Sequence, residues 1–206
     1  MAITNGYCTL SDVKAALRIP GSDTIDDTLL ELSIESASRD IDGTCERVFY
    51  QDADAVRTYV PTDSFLTEID DLVSLTTLKT SSDGEAFDIT WDLDNDAQLE
   101  PLNGQAGGIE SPFTRIRAIG SYLFPVWEPS NVNAQEATVQ VTGTFGWSSV
   151  PTAIRQATIL LAMRHYKRYD SPLGIAGFSD IGAIRVSRID PDVQNLIMPF
   201  KKVRMA

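Results

Sequence analysis

The stretch that decides the fold runs from Val139 to Asp170 and reads VQVTGTFGWSSVPTAIRQATILLAMRHYKRYD. Its first part alternates between apolar and polar residues, which is the period of a half-buried strand. The apolar positions are Val139, Val141, Phe145 and Trp147, and the polar positions are Gln140, Thr142 and Thr144. Pro151 can begin a helix without losing a needed N–H, and no residue up to Tyr169 breaks one. The stretch therefore predicts a strand that stops at residues 146–149, followed by a long helix.

The middle of this predicted helix, from Ala157 to Met163, is apolar on every side except at Thr158. A helical segment that is apolar all round must be covered on several sides, so we expect it at the centre of the core. The last turn carries three cations, which interact favourably with the negative end of the helix dipole. These are Arg164, Lys167 and Arg168.

Two shorter helices are predicted near the start of the chain. Thr9 and Asp12 have the spacing of a capping box, and the helix that follows should end before Pro20. The second helix has an acidic first turn at residues 26–27 and should end near Gly43. Its apolar stripe is formed by Leu30, Ile34, Ala37 and Ile41.

From Val48 the apolar period changes to two, which predicts an antiparallel β region. The predicted strands are 56–60, 72–80, 86–92, 113–119 and 137–147, and the predicted loops are 101–111 and 125–136. Asp83-Gly84, between two alternating runs, predicts a hairpin. Because these strands are inserted between helices and do not alternate with them, the predicted fold class is α+β.

The predicted architecture is a small helical core with an inserted antiparallel β region and a C-terminal extended arm. Residues 1–50 supply the N-terminal helices of the core, 51–147 the inserted β region, 148–170 the central core helix, and 171–206 a linker and an interaction arm. Three glycines predict that residues 171–182 form a mobile linker. A short alternating strand at 183–189 has no obvious partner nearby in the sequence, and the apolar turn after it would lie exposed.

We therefore expect the arm to pair with another chain, through its backbone edge and its basic side chains. The candidate interface residues are Arg185, Val186, Arg188, Ile189, Ile197, Phe200, Lys201, Lys202 and Arg204. An arm folded back on the chain's own β region is the alternative. The partner would be a neighbouring subunit or another protein with an acidic surface.

The formal net charge of −12 is unevenly distributed. Residues 1–150 hold 25 acidic and 8 basic side chains, net −17, whereas residues 151–206 hold 4 acidic and 9 basic, net +5. An acidic body argues against a surface that binds duplex DNA, because affinity for nucleic acid comes mainly from neutralised phosphates. No apolar run reaches the roughly 18 residues of a membrane span, and the start lacks the pattern of a signal peptide, so we expect a protein made in the cytoplasm.

The motifs that carry chemistry are incomplete. Residues 92–96 alternate as in a calcium loop, but Ala97 and Asn103 stand where that loop needs Gly and Glu, so an exposed acidic loop is favoured. His165 is the only histidine, and the two cysteines, Cys8 and Cys45, form neither a disulfide framework nor a metal pattern. We predict no catalytic, cofactor-binding or metal-binding residues, and therefore no enzyme.

Four strings resemble the head-to-tail adaptor (connector) proteins of long-tailed double-stranded DNA phages, especially those of actinobacterial hosts. They are YCTLSDVKAAL (7–17), IDGTCERVFY (41–50), VTGTFGWSSVPTAIRQATILLAMRHYKR (141–168) and IGAIRVSRIDPDVQNLI (181–197), and the resemblance covers about half the chain. It implies a helical core assembled as a ring, typically of twelve subunits, beneath the portal vertex in the neck of the virion.

The same resemblance implies the partners. These are further copies of the chain, the portal protein, a head-closure or tail-tube-proximal protein, and double-stranded DNA that passes through the ring without specific binding. It implies no cofactor and no membrane, with assembly in the host cytoplasm.

Two other functions stay open at this point. One is a structural protein of the tail or baseplate, which differs from an adaptor only in its partner. The other is a carbohydrate-binding protein or glycosidase whose β region forms a cleft around Trp91, Trp127 and Trp147, with a carboxylate pair such as Asp70 and Asp71 for catalysis. Aromatic residues at strand spacing more often belong to a core, which favours a structural role.

Overall fold

Helices form the two ends of the chain and an antiparallel sheet forms its middle, which confirms the predicted α+β class. The computed structural model describes residues 3–81, 86–126, 137–170, 175–179, 182–185 and 190–202. Contacts divide the chain into a helical unit, residues 1–50 and 150–206, and a sheet unit, residues 51–149. Each unit contains an apolar core cluster of its own.

In chain order the elements are α1 (Leu10–Leu17), α2 (Asp27–Cys45), β1 (Asp52–Tyr59), β2 (Leu66–Thr80), β3 (Ile89–Thr90), β4 (Ala97–Glu100), β5 (Gln105–Ala106), β6 (Ile109–Glu110), β7 (Phe113–Ala118), β8 (Val139–Phe145), α3 (Thr152–Asp170), β9 (Ile175–Ser179), β10 (Gly182–Arg185) and α4 (Pro191–Ile197). A 3-10 turn, Met198–Phe200, follows α4.

Helix α1 begins with the predicted capping box. Thr9 Oγ1 accepts the backbone N–H of Asp12 at 3.2 Å, and Asp12 Oδ2 accepts the N–H of Thr9 at 2.9 Å. Asp12 also joins α1 to α3, because the guanidinium of Arg155 donates to both of its carboxylate oxygens, at 2.5 and 3.1 Å. This pairing holds the pKa of Asp12 down, at about 2.

The predicted apolar stripe of α2 is fully buried. Its members Leu30, Ile34, Ala37 and Ile41 have no exposed surface, and the first three pack in one cluster with Ala162 of α3. Helix α2 continues two residues past Gly43, to Cys45, and ends where Glu46 takes a left-handed conformation with φ 52°. The stripe thus faces α3, and the opposite side of α2 faces away from the core.

Helix α3 is completely buried on one face and partly covered on its other sides, so its middle is covered on several sides, as expected, but less deeply than at the centre of a core. Ile154, Ala157, Thr158 and Ala162 are completely buried, and the Thr158 hydroxyl donates to the carbonyl oxygen of Ile154 at 2.8 Å. Leu160, in the same segment, is only half-buried. The apolar composition of this segment therefore exceeds what the helical unit itself covers.

Strand β8 lies inside a sheet of order β1-β8-β2-β7-β4, in which β3 also pairs with β2. Its predicted inward positions are confirmed as core residues: Val139, Val141, Phe145 and Trp147 are all buried. Residues 101–111, predicted as a loop, contain the short hairpin of β5 and β6, which turns at Gly107 and Gly108 with φ of 61° and 81°. The predicted turn Asp83-Gly84 lies outside the described residues.

The two ends of the sheet unit lie side by side. Strands β1 and β8 are antiparallel, with Asp52 opposite Phe145, and the Gln51 amide donates to the carbonyl oxygen of Ser148 at 3.1 Å. An inserted segment needs ends that are close together, because the helices before and after it pack against each other. The β1–β8 pairing meets this need.

The C-terminal section differs from the predicted linker and unpaired strand. Strand β10 pairs in antiparallel fashion with β9, with Gly182 opposite Ser179 and Ala183 opposite Phe178. The predicted mobile linker therefore contains a strand, and the strand after it has a partner in the same chain. The rest of the predicted strand, residues 186–189, lies outside the described residues.

A buried charge at Ala162 should unfold the helical unit. We expect Ala162→Asp to lower the free energy of unfolding by several kcal/mol, because an unpaired carboxylate would replace a methyl group with no exposed surface. Urea denaturation followed by far-UV circular dichroism measures this. Leu160→Asp, on the half-buried side of α3, is the matched control and should cost less; equal losses would contradict the complete burial of only one face of α3.

Acid should weaken the link between α1 and α3. Because Arg155 lowers the folded-state pKa of Asp12 to about 2, below its unfolded value of roughly 3.9, the stabilisation is present above pH 4 and disappears towards pH 2. We expect Arg155→Gln to be less stable than the wild type at pH 5, with the two unfolding curves converging near pH 2. Lys167→Gln on the same helix is the control. A gap for Arg155→Gln that does not change with pH would contradict this assignment.

Candidate interaction surfaces

The predicted interface residues of the arm do not form one exposed patch in the described part of the chain. Ile197 and Phe200 are buried, Lys201 is exposed, and Lys202 is half-buried with its N–H donating to the carbonyl oxygen of Cys45 at 2.9 Å. Arg185 is the last residue of β10. The others, Val186, Arg188, Ile189 and Arg204, lie outside the described residues.

The apolar turn that we expected to be exposed is part of the chain's own core. Asp190 caps α4 by accepting the N–H of Asp192 at 3.0 Å, and α4 packs on α3. The Phe200 ring then lies edge-on to Phe49, with centroids 5.9 Å apart. The expectation of an exposed turn is therefore wrong, because the helical unit itself supplies the surface that covers it.

A groove of about 310 Å³ lies between α2, α3 and α4, and we call it the α4 groove. Its apolar floor is formed by Ile41, Val193 and Ile197, which are buried, and its wall on α3 carries Arg164, His165 and Arg168. His165 Nε2 lies 3.0 Å from Asp40 Oδ2, in a hydrogen bond that joins two sides of the groove. Asp40 and Asp190 also line the groove, so its rim carries side chains of both charges.

The outward side of α2 exposes apolar residues. Leu29 and Leu32, which are 37% and 45% exposed, lie at i and i+3 on one face of the helix, and Ile25, which precedes the helix, is 88% exposed. We call this row the α2 ridge. Glu35 lies one turn after Leu32, and Glu31 lies one turn before Glu35, so acidic residues border the ridge.

The net charge of the protein resides in the sheet unit. Residues 51–149 hold 16 acidic and 4 basic side chains, net −12, whereas the helical unit holds 13 of each and is neutral. The acidic region predicted for residues 1–150 thus combines a strongly acidic sheet unit with part of a balanced helical unit. Two sheet units would repel each other, and either would repel phosphate.

The acidic stretch 92–96 is a structural turn. Buried Asp96 accepts the backbone N–H of Ser121 at 3.0 Å through Oδ1 and that of Asp92 at 3.2 Å through Oδ2. The amide of Asn95 donates to Asp92 and lowers the pKa of that carboxyl. Among the described residues, no group of three or more His, Cys, Asp and Glu side chains could hold a metal ion. The expected exposed acidic loop thus contains one buried carboxylate.

Two tryptophans of the proposed sugar cleft are core residues. Trp91 is buried and donates to Thr80 at 3.0 Å, and Trp147 is buried and donates to Asp71 at 2.9 Å. Asp70 is exposed and forms an ion pair with Arg57. Because successive residues of a strand point to opposite faces, the carboxylates of Asp70 and Asp71 do not share a site. Trp127 lies outside the described residues.

Phe200 should matter to the stability of the isolated subunit. We expect Phe200→Ala to cost about 3–5 kcal/mol of unfolding free energy, because it removes a ring that is only 4% exposed. The control is Met198→Ala in the same turn, whose side chain is 70% exposed and which should change the free energy by less than about 0.5 kcal/mol. Chemical denaturation of both variants as monomers measures the difference, and equal stabilities would place Phe200 outside the core.

The sequence and the fold both match known phage-related proteins. Residues 7–81 match the family model of the phage gp6-like head-tail connector protein. This range spans α1, α2 and the first two strands of the sheet. No curated protein has a sequence that matches the chain. Within the described residues, no helix is long and apolar enough to cross a membrane.

Two solved structures share the fold over the whole chain. One is the neck of an empty gene transfer agent (GTA) particle computed with C6 symmetry, with 16% identity, a TM-score of 0.58, and coverage of 100% of this chain and 95% of that one. The other is the virion of a native GTA particle, with 19% identity, a TM-score of 0.54 and the same coverage. The particular resemblance to adaptors of actinobacterial phages stays an expectation. Over residues 7–81 the chain is thus similar to the phage gp6-like head-tail connector proteins, and its fold is similar to that of the two GTA structures.

Proposed function

We propose that the protein forms a closed ring in the neck of the virion, between the portal protein and a head-closure or tail-tube-proximal protein. Twelve copies is the number that we propose. The solved neck with the same fold was computed with C6 symmetry, with which a ring of twelve is compatible. The ring leaves a channel through which double-stranded DNA passes during packaging and ejection.

The distribution of charge is the observation that carries this proposal. A channel for moving DNA requires a wall that does not bind phosphate, and the sheet unit, net −12, repels it. Subunit contacts require a surface without strong self-repulsion, and the helical unit is neutral. We therefore assign contacts between copies to the helical units.

The basic residues near the C-terminus remain candidates for contact with the portal or a neighbour. Lys201 is exposed, and Arg185, Arg188 and Arg204 add to the positive charge of this section. Opposite charge on the partner would steer association and set its orientation. Ile197 and Phe200 are excluded from this surface because they are buried in the subunit.

The proposal is tested by adding the purified protein to heads that lack it. We expect rings in negative-stain images, attachment at one vertex of each head, and a single subunit number by native mass spectrometry. Attachment to tails but not to heads would instead favour a structural protein of the tail. A protein that stays monomeric on both would contradict a ring in the neck.

The ring should pass DNA without holding it. We expect no measurable affinity for a short duplex at physiological salt, because the phosphates meet a surface of net −12. Fluorescence anisotropy of a labelled duplex, measured at low and physiological salt, checks this. Micromolar binding that weakens steeply with salt would show a cationic surface that faces the DNA.

A further inference from the structure

We propose that one end of the sheet unit docks onto a neighbouring protein of another sequence, whose surface carries apolar side chains bordered by lysines or arginines. The proposal rests on the proposed function, because this neighbour is one of the proteins that flank the ring in the neck. The docking surface is formed by residues 62–66, 92–96 and 118–126, and we call it the sheet tip. It lies entirely within the sheet unit.

Backbone hydrogen bonds bring the three segments of the sheet tip together, although they are distant in sequence. Three bonds of 2.9 Å join them: the N–H of Ala118 donates to the carbonyl oxygen of Phe65, that of Phe124 to Ser64, and that of Ile119 to Asp96. Strand β2 begins at Leu66 and strand β7 ends at Ala118, so the sheet tip lies where these two paired strands meet the loops.

The sheet tip exposes five large apolar side chains. They are Phe65 (57% exposed), Ile119 (51%), Tyr122 (41%), Leu123 (52%) and Val126 (47%). The neighbouring core is already filled, because Trp91 and Phe124 are buried and stack with centroids 4.7 Å apart. Single exposed apolar residues are normal, but a group of them at one end of a sheet is typical of a surface that meets another protein.

The loops of the sheet tip are fixed before any partner binds. Asp63 Oδ1 accepts the backbone N–H groups of Phe65 and Leu66 at 2.7 and 2.8 Å, and buried Asp96 accepts that of Ser121 at 3.0 Å. Gly120 lies so close to the acidic turn that a Cβ there would be 2.6 Å from the carbonyl oxygen of residue 95. Loops held in this way lose little conformational entropy on binding, which favours association.

The charge of the sheet tip indicates the chemistry of the partner. Its three segments hold four carboxylates and no cation. Asp63, Asp92 and Asp94 are exposed, and only Asp96 is buried. Arg117 in β7 acts on Asp63, but its guanidinium is bound to Glu100 at 2.6 Å. An apolar surface with an acidic border is complementary to an apolar surface with a cationic border.

The same charges disfavour a second copy of the sheet tip as the partner. Two sheet tips face to face would bring their carboxylates together, and the sheet units as a whole have a net charge of −12 each. Contacts between copies are assigned to the neutral helical units in the proposed ring. This leaves the sheet tip for a protein of a different sequence.

Removing the apolar side chains tests the docking. We expect Phe65→Ser/Leu123→Ser to form rings like the wild type, because both side chains are more than half exposed, but to give at least tenfold fewer tailed particles. The assay adds rings to heads that lack the protein, then adds tails, and counts products in negative-stain images. The matched control is Val56→Ser/Leu102→Ser, two sheet-unit residues that are 58% and 62% exposed outside the sheet tip. It should give the wild-type yield.

Reversing a charge tests the acidic border without removing apolar surface. We expect Asp94→Lys to weaken the attachment of rings to heads or to tails, and to reduce the loss of attachment that added salt causes in the wild type. The control is Glu110→Lys, an exposed residue that precedes β7, whereas the sheet tip follows it. Attachment and its salt dependence should be those of the wild type in this control.

Three results would overturn the docking of the sheet tip. The first is a wild-type yield of tailed particles from the serine variant, and the second is an equal loss in its control. The third is a folded serine variant that forms no rings, because the sheet tip would then contact another copy. A wild type that forms no rings would instead overturn the proposed function itself.

Discussion

The fold depends on one constraint on the path of the chain. The chain leaves the helical unit after α2 and must return to it at α3. These two helices form one core, with Ala37 of α2 and Ala162 of α3 in the same apolar cluster, although the sheet unit separates them in sequence. Closing so long a segment costs entropy, and the cost is reduced when the segment folds with its ends together. The pairing of β1 with β8 brings these two ends together. The edge strand β1 therefore lowers the entropic cost of packing α2 against α3.

Aromatic residues join distant parts of the chain within the helical unit. The Tyr7 hydroxyl donates to Asp42 and accepts the backbone N–H of Phe49 at 2.8 Å, and burial, reinforced by Asp42, raises the pKa of this hydroxyl. Phe49 packs edge-on against both Tyr7 and Phe200. Three distant parts of the chain thus meet at one residue: the N-terminal segment, the end of α2 and the C-terminal turn. This explains why the C-terminal section belongs to the subunit's core.

Local patterns were sufficient to predict much of the fold. The capping box at Thr9, the stripe of α2 and the alternation of β8 each depend on residues close in sequence, and each was predicted correctly. Local patterns do not show which surface an apolar turn packs against. Ile197 and Phe200 would look the same in sequence whether they pack on Phe49 or on another protein, because only tertiary contacts across about 150 residues distinguish the two.

The candidate surfaces were harder to predict for the same reason. An exposed leucine such as Leu32 resembles a core residue in sequence, since its exposure depends on which face of α2 the rest of the unit covers. The excess of apolar residues in α3 predicts deep burial, whereas Leu160 is only half-buried. The α4 groove required three helices from distant parts of the chain, and no local pattern describes it.

The placement of the tryptophans has a practical consequence for measuring this protein. All three, Trp91, Trp127 and Trp147, belong to the sheet unit, where Trp91 also stacks on Phe124 at 4.7 Å, and the helical unit has none. Intrinsic fluorescence excited at the indole therefore reports on one unit, while the helical signal in circular dichroism reports on the other. Two optical signals from the unlabelled chain thus separate the melting of its halves, and whether they coincide shows if the protein unfolds as one cooperative system.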